Sequence, residues 1–417
     1  MPRTIAEKIL AAKAQRDVSP GEIVEAEVDY VMVNDITAPA AFDEFEGMCA
    51  PILEKKVVLI PDHYVPNKDV ASAIQAKKMR DFAKKYRIRN YFDIGSGGVC
   101  HQVMIEKGFA APGRLIVGAD SHTCSYGALG AFATGIGSTE AATVFTRGVL
   151  WFKVPESMKF VVDGKLRKHV MGKDIVLTII GDIGVEGALY KSMEVQGTAV
   201  SSLEVSDRVT ISNMGIEAGA KACIIPPDAK VDKYLEGRAR GPYASVLADE
   251  GAVYADVRDY PAEDIVPVVA RPSLPSNVAP ASEVGVEIDQ AYLGSCTNGR
   301  IEDLRVAAAI LKGRKVKEGV RLLVVPASKD VFDRASDEGL FKIFSDAGAF
   351  ISGPTCGACL GGYMGVLAPG EKCVSTTNRN FVGRMGHKDS EVYLASPAVV
   401  AASAVAGRIV DPSEVVG

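Results

Sequence analysis

At 417 residues, 47% hydrophobic and 24% charged, the chain carries enough apolar surface for two or three cores that need no staples. The net charge of −5 is mild, and no run of Lys and Arg is dense enough to suggest a nucleic-acid footprint. Arg3, Glu7, Lys8 and Lys13 interrupt the first stretch, so it lacks the apolar centre of an export signal. The basic run Lys165 to His169 reads as a solvated turn. The most apolar tract, Leu394 to Val410, contains Pro397 and reads as a packed helix rather than a membrane span. Eight cysteines without regular spacing point to a reducing compartment, with the cytoplasm as the default.

Helical and strand patterns alternate along the chain, which predicts α/β layers around parallel or mixed sheets. Lys56 to Ile60 is a short β-branched strand. Asp69 to Tyr86 is a helix, with Val70, Ile74, Met79, Phe82 and Tyr86 at helical spacing. Arg114 to Val117 is a strand, and a helix over Ser138 to Trp151 follows a Gly-rich turn. Met158 to Val162 and Asp174 to Ile180 open a segment rich in Gly and Met that runs to about residue 270. Pro261 to Ser282 holds five prolines (261, 267, 272, 275 and 280), a density that predicts an extended connection between domains. Beyond it come a strand from Ile288 to Leu293, a helix marked by Ile301, Leu304, Ala308 and Leu311, a strand from Arg321 to Val325 and a helix from Ser328 to Ser345.

The residues suited to chemistry share one placement: Asp62-His63, Asp120-Ser121-His122, Cys296 and Asn378-Arg379-Asn380 each follow a predicted strand. Loops leaving the carboxyl ends of strands are where α/β sheets build ligand sites. Cys356 and Cys359 lie three apart in a Gly- and Pro-containing loop, Gly353 to Gly361, that can turn both sulfurs to one centre. With Cys296 they make three candidate thiolates, which suit an iron–sulfur cluster better than a closed four-ligand zinc site; a redox dithiol and half of a zinc site are the alternatives. Cys49, Cys100, Cys124, Cys223 and Cys373 read as small buried apolar residues. A carboxylate beside imidazole raises its basicity and fixes its tautomer, so His63 and His122, and His101 in its Gly-rich stretch, are candidates for proton transfer. His169 and His387 keep a structural reading. Arg379 and Arg384 suit bidentate capture of carboxylates. Gly95 to Gly98 lacks P-loop spacing and is not read as a phosphate site.

Taken together and in order, these motifs resemble the signatures of the aconitase superfamily. Asp62-His63, Gly97 to Gln102, Gly118 to Thr123, Gly294 to Asn298, Cys356 to Cys359 and Ser375 to Phe381 carry the resemblance, which extends to residue 384. It implies three α/β/α-type domains around a central iron–sulfur cleft, near residues 1–155, 156–270 and 271–417, the last bearing the cluster cysteines. It implies one 4Fe–4S cluster on Cys296, Cys356 and Cys359, whose fourth iron binds substrate. It pairs Asp62 with His63, Asp120 with His101, and Glu217, in an Asn-Met-x-x-Glu-like stretch, with His122. Ser121, Asn378, Arg379 and Arg384 would hold substrate, and so would Asn34, which stands where relatives often have His or Gln. Length and detail resemble the large subunits of the family's two-subunit branch. The swivelling fourth domain of single-chain members would then come from a separate small subunit, in a heterodimer or heterotetramer.

The activity implied is that of a hydro-lyase isomerising 2-isopropylmalate and 3-isopropylmalate in leucine biosynthesis, through a dehydrated intermediate. Leu150 to Pro155 and the run from Gly118 to Glu140 resemble that branch more than its homocitrate-processing alternative. His63, held by Asp62, is the expected donor to the leaving hydroxyl, while His101, Asp120 and His122 position water. Two further alternatives are an iron-responsive RNA-binding protein, against which the acidic charge balance argues, and a structural zinc module.

Overall fold

The computed structural model describes residues 2–416. The chain forms two compact units, one comprising the chain up to Asp163 with Ala188–Tyr260, the other Gly164–Gly187 with the chain from Pro261 onward.

In the first unit, Val57–Leu59, Tyr30–Val33, Leu115–Gly118 and Phe132–Gly135 make an all-parallel four-stranded sheet in that order. Its strands are almost continuously buried, as they must be when both faces are covered. Helices Ala38–Gly47 and Val70–Lys85 close one face, where the rings of Phe42 and Phe82 stack. Val103, Met104, Tyr126, Leu129 and Val209 pack on the other. The predicted helix from Ser138 ends at Arg147 rather than Trp151, because Gly148 takes the left-handed conformation (φ +67°) that terminates helices. Val149–Lys153 then runs as a strand antiparallel to Ile23–Glu27, with alternate residues buried. A second sheet is ordered Asp256–Pro261, Ser157–Asp163, Ser192–Gln196 and Ala222–Ile224.

The second unit is built on a seven-stranded sheet. Glu391–Ala395, Lys372–Ser375, Gln290–Leu293, Arg321–Val324 and Phe350–Ile351 are parallel in that spatial order. The Pro-rich run is not a free connection. Val268–Ala270 and Val278–Pro280 lie antiparallel at the edge of this sheet, where a residue without an N–H is tolerated. The helix predicted from Ser328 to Ser345 is two, Lys329–Asp337 and Leu340–Ala347, broken at Gly339 (φ +71°). Within the tract Leu394 to Val410 only Pro397–Ala406 is helical and buried, and the strand Glu391–Ala395 precedes it. Among the described residues no helix is long and apolar enough to cross a membrane.

Candidate active site

Each parallel sheet gathers its reactive side chains at one end, because parallel strands send all their carboxyl ends the same way. In the first unit the loops after Tyr30–Val33, Val57–Leu59 and Leu115–Gly118 bring together Asn34, Asp35, Asp62, His63 and Asp120. Asp35 organises the middle loop: Oδ1 accepts the backbone N–H groups of Asp62 (3.0 Å) and His63 (2.9 Å), and Oδ2 that of Tyr64 (2.8 Å). Burial would raise the Asp35 pKa, but His63 and these N–H groups outweigh it and hold the carboxyl at about 2.

Asp62, fully buried, uses both oxygens. Oδ1 meets His63 Nδ1 at 2.6 Å, and Oδ2 accepts the N–H of Cys100 (2.7 Å), the first residue of the helix Cys100–Glu106. The carboxylate thereby ties the His63 loop to the helix that carries His101. Burial disfavours a charged His63; the negative charge of Asp62, bonded to Nδ1, and that of Asp35, 3.7 Å from Nδ1, overcome it and raise its pKa well above the ordinary value. These carboxylates favour the protonated form of His63, and its Nε2 lies 3.8 Å from Asp120 Oδ2.

Asp120 caps the 3-10 helix Ser121–Leu129 by accepting the N–H of His122 (2.9 Å) on the oxygen that also meets His101 Nε2 (2.9 Å). Burial works against its charge, but His101 and His122 hold the carboxyl well below the usual range. His122 Nε2 bonds Glu217 Oε1 (2.8 Å), which arrives on the short turn Gly215–Ala218. The three imidazole–carboxylate pairs are thus all within hydrogen-bond distance. Ser121 Oγ lies 3.5 Å from His122 Nδ1. The Asn34 side-chain oxygen accepts from the Ile36 N–H and from the N–H and hydroxyl of Thr37, leaving its amide, 3.4 Å from Asp120, to face the cluster.

In the second unit the loops after Gln290–Leu293, Phe350–Ile351 and Lys372–Ser375 carry the cysteines and Asn378. Cys296, Cys356 and Cys359 are all buried. Ser295 Oγ lies 3.7 Å from Cys296 Sγ and 3.5 Å from Cys359 Sγ, so the sulfurs are no farther apart than those two distances end to end. Ser295 holds φ +81°, a strained conformation for a side-chain-bearing residue, and it is this turn that places its hydroxyl between the thiols. Asn378 spans the same pair, its Nδ2 3.3 Å from Cys296 Sγ and its Oδ1 3.8 Å from Cys359 Sγ. Cys356 is fixed through its carbonyl, which accepts from the Tyr292 hydroxyl (3.0 Å). Of the remaining cysteines, Cys100, Cys124, Cys223 and Cys373 are buried as expected, whereas Cys49 is exposed. Arg379 is half-buried beside Asn378, and Arg384 lies with its guanidinium over the Phe381 ring (5.5 Å) and its Nε buried with no hydrogen-bond partner among the described residues.

Sequence reasoning misses Lys173. It is fully buried and donates to the carbonyls of Thr376 (2.9 Å) and Thr377 (2.5 Å), the two residues before Asn378. Burial lowers its pKa to about 7 against the opposing charges of Cys359 and Cys296. A lysine beside a helix start in Gly172-Lys173-Asp174 gives no local sign of burial. Tyr126, whose hydroxyl lies 3.0 Å from His101 Nδ1, is likewise unmarked by any local pattern.

A family model described as the aconitase family (aconitate hydratase) matches residues 7–286 and 281–407. The chain belongs to the aconitase family. Full-length relatives agree. It is 54% identical to the 3-isopropylmalate dehydratase large subunit of Thermodesulfovibrio yellowstonii, covering 99% of each chain. It is 56% identical to the protein of that name from Syntrophus aciditrophicus, over 99% of this chain and 100% of that one. The one from Picrophilus torridus is 53% identical over 99% and 100%. Aconitase-family proteins carry iron–sulfur clusters. The second unit's donor set fits such a group: three buried thiols, with a serine hydroxyl and an asparagine amide placed to donate to sulfur.

Proposed function

We propose that this chain is the large subunit of a 3-isopropylmalate dehydratase, a hydro-lyase that interconverts 2-isopropylmalate and 3-isopropylmalate by removing and re-adding water. The observation that carries this reading is identity of 53–56% to large subunits of that name, sustained over essentially the whole length. Those names support a separate small-subunit partner. Buried reduced thiols support a cytoplasmic setting, and three extended sheets support α/β domains dividing near residues 155 and 270, with the helix Gly172–Ile183 lent to the last.

The reaction must detach a weakly acidic carbon-bound proton and expel hydroxide, a poor leaving group. His63 is equipped to assist the departing hydroxide. Asp62 and Asp35 favour its protonated form, and with Nδ1 committed to Asp62 the transferable proton sits on Nε2. Asp120, His101, His122 and Glu217 hold water and the leaving hydroxyl in register. Cys296, Cys356 and Cys359 would hold one 4Fe–4S cluster. A bound cluster with one iron lacking a protein ligand supplies Lewis acidity toward the substrate's hydroxyl and carboxylate. Arg379 and Arg384, with Ser121 and Asn378, are assigned to substrate oxygens, the guanidinium forks matching carboxylates. Asn34 contributes its amide.

The test is turnover by the anaerobically prepared pair of this chain and its small partner, with 2-isopropylmalate and homocitrate supplied separately. Preferred dehydration of 2-isopropylmalate is expected. Preference for homocitrate would replace the substrate assignment, and no dehydration of either would overturn the reading.

A further inference from the structure

Among the three histidines of the cluster, His101 stands apart in having protein partners close to both ring nitrogens: Asp120 Oδ1 at 2.9 Å from Nε2 and the Tyr126 hydroxyl at 3.0 Å from Nδ1. On His63 the second nitrogen lies 3.8 Å from a carboxylate oxygen; on His122 it lies 3.5 Å from a serine hydroxyl. His101 is 2% exposed and Tyr126 is wholly buried, their ring centroids 5.7 Å apart.

We infer that Tyr126 is a positioning residue that donates its hydroxyl proton to His101 Nδ1, locking His101 as the neutral Nε2–H tautomer and removing it from proton exchange. Hydrogen-bond roles fix the protons. An ionised carboxylate only accepts, so the bond to Asp120 places a proton on His101 Nε2. The other nitrogen of a neutral imidazole is then a good acceptor, and a phenol is a better donor than acceptor toward it. An imidazolium would instead have to donate from Nδ1 to the phenol oxygen, in a pocket where charge is already costly. The ionisable groups facing His101 are Asp120 and, beyond it, the imidazoles of His122, whose centroid is 6.4 Å away, and of His63, whose Nε2 lies 3.8 Å from Asp120 Oδ2.

The consequence is a division of labour. His63 exchanges protons; His101 holds Asp120 in place and does not. Its relevance to turnover rests on the dehydratase reading above, whereas the tautomer itself does not.

The experiment is nitrogen-15 NMR of the full chain labelled at histidine, with the His101 signals assigned by their loss in His101→Gln. In the wild-type chain, paired shifts of one protonated and one bare nitrogen, unchanged between pH 6 and 8, are expected. A signature of two protonated nitrogens in that range overturns the inference without any variant. In Tyr126→Phe, with circular dichroism verifying the fold, His101 should begin to titrate in this window. The alkaline limb of kcat in the reconstituted pair should keep its midpoint, with kcat lowered about tenfold and KM little changed. A His101 signal unaltered in Tyr126→Phe would also overturn it. Inactivity of the wild-type pair toward 2-isopropylmalate, with the expected tautomer present, would instead count against the functional reading.

Discussion

The carboxylate of Asp62 bonds His63 through one oxygen and the N-terminus of the His101 helix through the other, so one buried side chain joins an imidazole to the element bearing a second. A substitution there cannot be local. Asp62→Asn should lower the pKa of His63 and loosen Cys100, so the alkaline limb of the reconstituted pair's pH profile should move to lower pH. A limb that stays in place would show that His63 is not the group observed.

His63→Gln removes the proposed proton donor but none of the proposed cluster ligands. Turnover should fall by about 10²–10⁴-fold, the range typical of a lost general acid, while iron and sulfide content stay at wild-type levels. The linked stability effect has a definite sign. Because His63 has a higher pKa folded than unfolded, its contribution is complete below about pH 6.5. It fades as pH rises through the elevated folded value. Urea titrations from pH 6 upward should show that loss in the wild type and a smaller one in the variant.

Asp35 supports three backbone N–H groups and carries a folded pKa of about 2. Its depressed pKa means the contribution is present above about pH 4 and lost as pH falls toward 2. Asp35→Ala should cost about 2–4 kcal/mol by leaving buried donors unmet, and should flatten the acid limb of the stability curve. Chemical denaturation at pH 7 measures the first, and a series from about pH 4 down to about pH 2 measures the second.

Cys296→Ser, Cys356→Ser and Cys359→Ser should each abolish the broad visible absorbance of an anaerobically reconstituted cluster, whereas Cys373→Ser should retain it. Cys373 is held by burial with a pKa pushed up to about 12, and such a thiol is a poor ligand. Loss of the cluster on replacing Cys373 as well would point to a disrupted fold rather than a ligand set.

Gly357 separates Cys356 from the turn that carries Cys359. It has φ +57°, and a Cβ there would collide with the Tyr292 hydroxyl that holds the Cys356 carbonyl. Gly357→Ala should therefore lower iron content even though no proposed ligand changes. The combined strain and contact cost should be about 1–3 kcal/mol, read from thermal melts alongside iron analysis.

Much of this was legible in the chain itself. Strand positions, the placement of Asp62, Asp120, Cys296 and Asn378 after strands, and the motifs of the aconitase family are local properties. Hydrophobic periodicity and turn residues record them directly. Helix ends misled where a single glycine switched the backbone to positive φ, at Gly148 and Gly339, because periodicity continues across such a break. The Pro-rich run misled for another reason: proline density reports a missing donor, and a sheet edge absorbs that as well as solvent does.

What tertiary structure alone decided is which ring nitrogen faces which partner. Glu217 reaches His122 across 95 positions of chain, Tyr126 meets His101 across 25, and Lys173 finds two carbonyls more than 200 residues away. Residue types fix what chemistry is available, but proton positions follow from distances between groups that the sheets bring together. Those distances have no counterpart in sequence spacing.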